Sequence, residues 1–406
     1  MLRTFECVVL LLFLGPAVFA AGYHLFLGII GLFLSRKPSR SIFPLPKMRF
    51  AILVPAHDEE LLIEQTVKRL QHEIDYPAER VHIFVIADNC SDATAEIARR
   101  TGVRVLERHN AENRGKGFAL SDAFPVVFAE CDCDGVLVVD ADCRIDRHAL
   151  RSLDSRLQKS GNIPLQLNYI VDNPDTSSIS YLLGVANNLE NDFFYASKDL
   201  LQWFVVLRGT GMYLPRPVLE RFPWQAFSVV EDTDYTLQLL HENVQVGFIR
   251  DACVLSEFPA ERKTLAVQRK RWIGGTFAFI FSKSFPLVFR GIVRMRPRTV
   301  DAGLTLLLLS RPLLILQLML TTFLTFLMIW PMKSALGWPF FLASLACWPA
   351  YLIYFSFGVF RIGLTGKRFM LLIRLPFETL AYLLFALRAL FGGSVTAWER
   401  TPREKK

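Results

Sequence analysis

The chain has 406 residues, 52% of them hydrophobic, with a formal net charge of +8 and a mean hydropathy of +0.31. That hydropathy is too high for a wholly water-soluble protein and too low for one built only of membrane spans, so segments of both kinds are expected. Much of the basic excess flanks apolar runs, which points to anionic lipid headgroups; no nucleic-acid motif is present, and no nucleic-acid partner is expected.

From the N-terminus, Cys7 to Ser35 carries no Asp, Glu, Lys or Arg and exceeds the roughly 20 residues needed to cross a hydrocarbon core. It is also longer than the roughly 7–15-residue apolar core of a signal peptide, so a retained anchor is expected, with its basic flank, over residues 1–47. Arg36, Lys37, Arg40 and Lys47 follow this run. Basic residues favour the cytoplasmic side, so the expectation is a cytoplasmic middle region with the N-terminus outside.

Residues 48–260 read as an α/β domain. "RFAILVP" (49–55), "VHIFVIAD" (81–88), "VRVLE" (103–107) and "GVLVVD" (135–140) are near-continuous aliphatic runs, as expected of strands buried on both faces of a mostly parallel sheet. "EELLIEQTVKRLQHEI", "SDATAEIARRTG" and "KGFALSDAFPVVFAE" between them have helical spacing. In such doubly wound sheets the ligand sits beyond the carboxyl ends of the strands. Polar clusters fall there after three strands: "PAHDEE", "DNCSD" and "DADCRID".

Asp140 and Asp142 are one residue apart. In an extended strand end they point to one side, where they suit a shared Mg2+ or Mn2+; the plain alternative is a solvated turn. Downstream, Gly209 and Gly211 bracket Thr210 and permit close backbone approach to a ligand. Glu231, Asp232 and Asp234 open an amphipathic segment, where acidic residues also serve as ordinary helix-start charges. Gln268, Arg271 and Trp272 stand at i, i+3 and i+4, which puts an amide, a guanidinium and an indole on one helical face. That face suits a diphosphate and a ring, and it equally suits an interfacial helix at the headgroup level.

Residues 261–300 therefore read as this helix and further interfacial ones, and residues 301–392 as membrane or interfacial helices. Pro312–Met332 and Ser334–Phe360 are uncharged apart from nothing more than polar side chains, while 369–392 carries Arg374, Pro376, Glu378 and Arg388 and is left open between crossing and lying flat. Arg290, Arg294, Arg296 and Arg298 precede the second span and Arg361, Lys367 and Arg368 follow the third, again on the expected cytoplasmic side. A basic tail, 393–406, ends the chain. The seven scattered cysteines are expected to be free thiols.

The ordered set "VPAHDEE" (54–60), "ADNCSDAT" (87–94), "NRGKG" (113–117), "DAD" (140–142), "RGTGM" (208–212), "VED" (230–232) and "QRKRW" (268–272) resembles membrane-embedded glycosyltransferase family 2, the type of cellulose, hyaluronan and poly-N-acetylglucosamine synthases. The resemblance implies a GT-A fold and inverting transfer of a sugar from a nucleotide-diphosphate donor, with a UDP-sugar as first expectation. The acceptor would be a polysaccharide or a lipid-linked molecule at the cytoplasmic membrane face, a bacterial inner membrane being the expected setting. It further implies that Pro55, Ala56, Glu59 and Asp88 hold the nucleotide and that Lys116 lies near it. Asp140 and Asp142 would meet Mg2+ or Mn2+ and the donor, and Asp232 would be the base. Gln268, Arg271 and Trp272 would complete the nucleotide and acceptor site, with Gly209, Thr210, Gly211 and Glu231 on the acceptor side. "VED" replaces the family's common Thr-Glu-Asp, and "HDEE" its Tyr-Asn-Glu-Glu, without loss of a charged group the mechanism requires. Single transfer to a glycolipid, a nucleotidyltransferase and a non-catalytic membrane scaffold are the competing readings. Few spans for a polymer channel would fit a homo-oligomer or an export partner.

Overall fold

The computed structural model describes residues 2–35, 43–257, 282–309 and 311–373. They fall into two compact units. One holds the sheet. The other holds the N-terminal helix, Ser177–Leu201 and the helices from residue 282 onward.

The described residues of the sheet unit build eight strands: β1 (Phe50–Ala56), β2 (Val81–Asp88), β3 (Arg104–Arg108), β4 (Gly135–Val138), β5 (Cys143–Ile145), β6 (Leu165–Val171), β7 (Met212–Pro215) and β8 (Gly247–Ser256), in the order β3-β2-β1-β4-β7-β6-β8-β5. β1 pairs in parallel with β2 and β4, and β2 with β3. β7 runs antiparallel between β4 and β6, β8 is parallel to β6, and β5 is antiparallel at the edge.

Helices α3 (Ile63–His72), α4 (Thr94–Arg100), α5 (Lys116–Glu130), α6 (Ala149–Ser160), α9 (Arg216–Arg221) and α10 (Glu231–His241) accompany these strands. The period-2 rule divides β1 between two layers. Phe50, Ile52 and Val54 enter a core with Ile63, Val67 and Leu70 of α3, Ala98 of α4 and Leu153 of α6. Ala51 and Leu53, also fully buried, take the other face, the side on which Ala119, Leu120, Ala123 and Val127 of α5 are buried. Each such Leu, Ile or Val contributes about 1.5–3 kcal/mol by leaving water, which makes the parallel half of the sheet a rigid platform for its loops. Trp224 joins α5 to α10, tilted against Phe124 and stacked on Tyr235 at 4.5 Å.

In the other unit, α1 (Leu2–Val8), a π-helical turn (Val9–Leu14) and α2 (Gly15–Ser35) run on as one apolar rod. α7 (Ser178–Glu190), a π-helical turn (Asn191–Tyr195) and α8 (Ala196–Leu200) follow β6 in sequence. They pack here through small residues: a Cβ at Gly31 would lie 2.6 Å from the Asp192 carbonyl, and one at Gly358 would lie 2.8 Å from that of Val185. Lys198 is fully buried and salt-bridged to Asp301 at 2.9 Å. Residues 282–293 are helical and are labelled α11. After them come α12 (Pro297–Leu309), α13 (Arg311–Ile329), α14 (Gly337–Ile362) and α15 (Gly366–Ile373).

Among the described residues two helices, Arg3–Leu34 and Gly337–Ile362, are long and apolar enough to cross a membrane, and a third crossing results if the bent pair Pro297–Leu309 and Leu313–Ile329 is one span. The first covers the apolar run Cys7–Ser35, and the others overlap the apolar runs Pro312–Met332 and Ser334–Phe360.

Candidate active site

β4 ends at Val138, and the chain then turns so that the Cys143 N–H donates to the Asp140 carbonyl at 2.9 Å. Asp140 and Asp142 are therefore not neighbours on one side of an extended strand, as their spacing suggested. A tight turn, pinned by a 2.6 Å hydrogen bond from Thr66 Oγ1 to the Ala141 carbonyl, brings them together instead. One carboxylate oxygen of each lies within 4.8 Å of the other and of Cys143 Sγ. Burial pushes the Cys143 thiol well above its ordinary range, with the charge of Asp142 adding to the effect, and a soft sulfur suits a hard cation poorly. Two hard carboxylates remain, a donor set that fits Mg2+ or Mn2+ shared with substrate phosphates.

Lys116 opens α5, and its ammonium is salt-bridged to Asp140 and donates to the Gly209 carbonyl at 2.8 Å. Gly209 has φ +72°, and a Cβ there would lie 3.3 Å from Asp232 Oδ2 and 3.7 Å from Lys116 Nζ. One short loop thus approaches the lysine and the carboxylate at the head of α10, and Lys116 links it to the Asp140 carboxylate. Thr210 Oγ1 accepts the Asp140 N–H at 3.2 Å. Gln166 fixes the loop from β6, accepting the Arg208 N–H at 2.7 Å and donating to the Thr210 carbonyl at 2.9 Å. Gly211, with φ +67°, passes so close to β8 that a Cβ would lie 2.7 Å from Val254 Cγ2.

Glu231, Asp232 and Asp234 occupy the first turn of α10, where the helix dipole favours negative charge. Asp232 Oδ1 accepts the Thr233 N–H at 2.6 Å. Thr236 Oγ1 donates to the Asp232 carbonyl at 2.7 Å and accepts the Leu207 N–H at 3.0 Å, which ties α10 to the glycine loop.

The cluster is electrostatically tense. Burial raises the Asp232 carboxyl above its ordinary value, against the pull of the Thr233 N–H and Lys116. Burial and then the Asp232 charge push Glu231 from its ordinary 4.5 up to about 8. Burial alone would lower Lys116, but Asp140, Glu231 and Asp232 outweigh it and keep it charged. Because folding raises the Glu231 value, the native state binds the extra proton, and stability falls as pH climbs from the unfolded value toward about 8. Glu231→Gln should therefore melt above the parent at roughly pH 9 and gain little or nothing at roughly pH 5. Thermal scans of donor-free protein check this; equal gains at both pH values would count against it.

Gly117 holds a second close approach, since a Cβ there would lie 2.2 Å from the Ala226 carbonyl and 3.3 Å from Glu231 Cβ. Ala is the better helix former by about 1 kcal/mol. The obstacle is backbone rather than a flexible tip, so overpacking of about 1–3 kcal/mol should win. Gly117→Ala is expected to lower the melting temperature and to weaken activity by displacing the 224–230 loop; unchanged stability would contradict this.

On the nucleotide side expected from the sequence, Pro55 and Ala56 end β1, and Asp88 ends β2. Asp88 is buried and paired with Arg108 at 2.8 Å, while Arg108 also reaches Asp122 at 2.6 Å. The Glu59 N–H donates to Thr94 Oγ1 at 2.7 Å, and Asp58 Oδ1 accepts the Ser91 N–H at 2.6 Å. Asp58 (φ 55°) and Asn89 (φ 50°) hold left-handed backbone at these strand ends, local strain of the kind that clusters at ligand sites. The structure gathers Lys116, Asp140, Gly209, Thr210 and Asp232 directly, with Asp142 on the same turn. Gln268, Arg271 and Trp272 lie outside the described residues.

Sequence reasoning missed Thr66, Arg108, Gln166 and Thr236. Two left a signal. Gln166 interrupts the buried strand "LQLNYIV", and Arg108 ends β3 in register with Asp88.

A family model described as "Glycosyltransferase like family 2" matches residues 46–275. A probable glycosyltransferase of Bacillus subtilis is 28% identical over 245 residues, 57% of this chain and 55% of the relative. A β-monoglucosyldiacylglycerol synthase of Synechocystis is 25% identical over 244 residues, 58% of this chain and 49% of the relative. The chain thus spans about half the length of these relatives. A mannosyltransferase from Pyrobaculum calidifontis, solved with GDP-Man and Mn2+, aligns over 97% of this chain and 99% of its own at 18% identity with a TM-score of 0.55, a likeness of GT-A fold.

Proposed function

The chain belongs to the glycosyltransferase-like family 2, and from that premise we propose that it transfers a sugar, with inversion, from a nucleotide-diphosphate donor to a lipid or lipid-linked hydroxyl at the cytoplasmic face of a membrane. The observation that carries this reading is the meeting of Lys116, Asp140, Gly209 and Asp232 beyond the carboxyl ends of parallel strands.

In this reading the Pro55–Glu59 segment and Asp88 seat the nucleotide, and Arg108 holds Asp88 in place. Lys116 offers positive charge to the diphosphate. Asp142, with Asp140, would hold Mg2+ or Mn2+, which when bound offsets the charge growing on the leaving diphosphate. Asp232 takes the proton of the acceptor hydroxyl as that oxygen bonds to the anomeric carbon and the carbon–oxygen bond to the diphosphate breaks. The raised Asp232 value makes its carboxylate a stronger base than a free one. Gly209, Thr210, Gly211 and Glu231 line the acceptor side, and Gln268, Arg271 and Trp272 complete it.

A lipid acceptor is favoured over a polymer because relatives carry the name β-monoglucosyldiacylglycerol synthase. The basic flanks support a cytoplasmic position for the sheet unit. The test is purified chain in lipid, supplied with a panel of UDP-, GDP- and dTDP-sugars and with diacylglycerol or polyprenyl phosphate. Sugar recovered in the lipid extract supports the proposal; sugar recovered only in long polymer would move the acceptor to a polysaccharide.

A further inference from the structure

We propose that the hairpin of residues 282–309 is a seat for anionic lipid headgroups, with Arg290, Arg294 and Arg296 binding them while the apolar face of α11 enters the acyl boundary. This rests on reading the chain as membrane-bound and is independent of the transfer chemistry.

The hairpin is tightly closed. A Cβ at Gly291 would lie 2.6 Å from the Val300 nitrogen, and one at Gly303 would lie 2.6 Å from the Ser284 carbonyl, so backbones touch at two levels. Met295, at φ +52°, makes the turn between the helices. Ser284, Leu287 and Gly291 form the inward face of α11. The outward face is apolar: Phe285 is 57% exposed, Phe289 69%, Ile292 62% and Val293 65%, with Met295 89% exposed at the tip. Positions 285, 289 and 292 follow helical spacing, so this is a stripe and not a scatter.

Charge names the occupant. Arg290, Arg294 and Arg296 are exposed around the same tip, and among the described residues no carboxylate pairs with them. An apolar stripe beside a cluster of arginines matches the boundary between acyl chains and anionic headgroups. The same unit contains the candidate spans, so a bilayer is the surface at hand. A second copy of the chain would bring three uncompensated arginines against three more and is disfavoured by repulsion.

The experiment uses the full chain in vesicles of phosphatidylcholine with about 30% phosphatidylglycerol. It is extracted into polymer-bounded discs, and the headgroups retained are counted. The parent should hold phosphatidylglycerol above its share in the starting bilayer. Arg290→Gln/Arg294→Gln/Arg296→Gln should lose about half or more of that excess, given similar contributions from each surface arginine. Because these side chains are exposed, its melting temperature in pure phosphatidylcholine should equal the parent's, and Arg294→Gln alone should show a smaller loss. Equal phosphatidylglycerol in parent and triple variant would overturn the proposal. So would conversion of a dimer to a monomer by Phe289→Asp with no change in lipid content, which would assign the face to a second copy.

Discussion

Asp232→Asn is expected to lower kcat by about 10²–10⁴ while leaving the donor dissociation constant within about twofold. Asn keeps the size of the side chain and can still accept the Thr233 N–H that now meets Asp232 Oδ1 at 2.6 Å. What disappears is basicity. Asp232 is preferred to its neighbours on geometry: its Oδ2 approaches Gly209, and its charge interacts with the Lys116 ammonium, where donor and acceptor would meet. Asp234 shares the first turn of α10 and there supports the helix start. Asp234→Asn should therefore cost only the few tenths of a kcal/mol to about 1 kcal/mol of an acidic first-turn residue. Steady-state rates with donor titrations separate these outcomes. Normal turnover by Asp232→Asn together with failure of Asp234→Asn would place the base on the wrong carboxylate.

Asp142→Asn is expected to reduce kcat/KM by roughly 10²-fold or more and to weaken the response to added Mg2+ or Mn2+. Asp142 is the more exposed of the two carboxylates, and Asp140 is salt-bridged to Lys116. The turn is held by backbone, through Cys143 to Asp140 and Thr66 to Ala141, and should survive the change. Cys143→Ser at the neighbouring buried position should leave the metal dependence intact. Activity measured against metal concentration checks both variants, and full turnover of the parent in excess chelator would remove the cation from the mechanism.

The first half of the sheet was legible because each strand is a continuous apolar run. "VHIFVIAD" is β2 to the residue, and "KGFALSDAFPVVFAE" is α5 to the residue despite Pro125 within it. β1 and β3 differ from "RFAILVP" and "VRVLE" by one residue at each end, and β4 stops at Val138, two short of "GVLVVD", because the chain turns toward Asp140. The second half was not legible. β5 is three residues long, β7 is antiparallel, and both are defined by distant partners, which no local period records. Nor does local pattern show that Ser178–Leu200 leaves the sheet, since that depends on Gly31 and Gly358 admitting it among the apolar helices. At the site, residue types were readable where charge or glycine marked them. Thr66 and Thr236 act through side-chain hydrogen bonds to backbone, which leave no trace in spacing, and Gln166 shows only as a polar residue inside a buried strand.

The most direct measurement is the anomeric configuration of the product. Purified chain in lipid, with the donor identified from the panel and a divalent cation, would make product for proton NMR, and the coupling at the anomeric position would be read. A single displacement assisted by Asp232 predicts a β-linked product from an α-linked donor. An α-linked product, or no transfer from any donor in the panel, would contradict it.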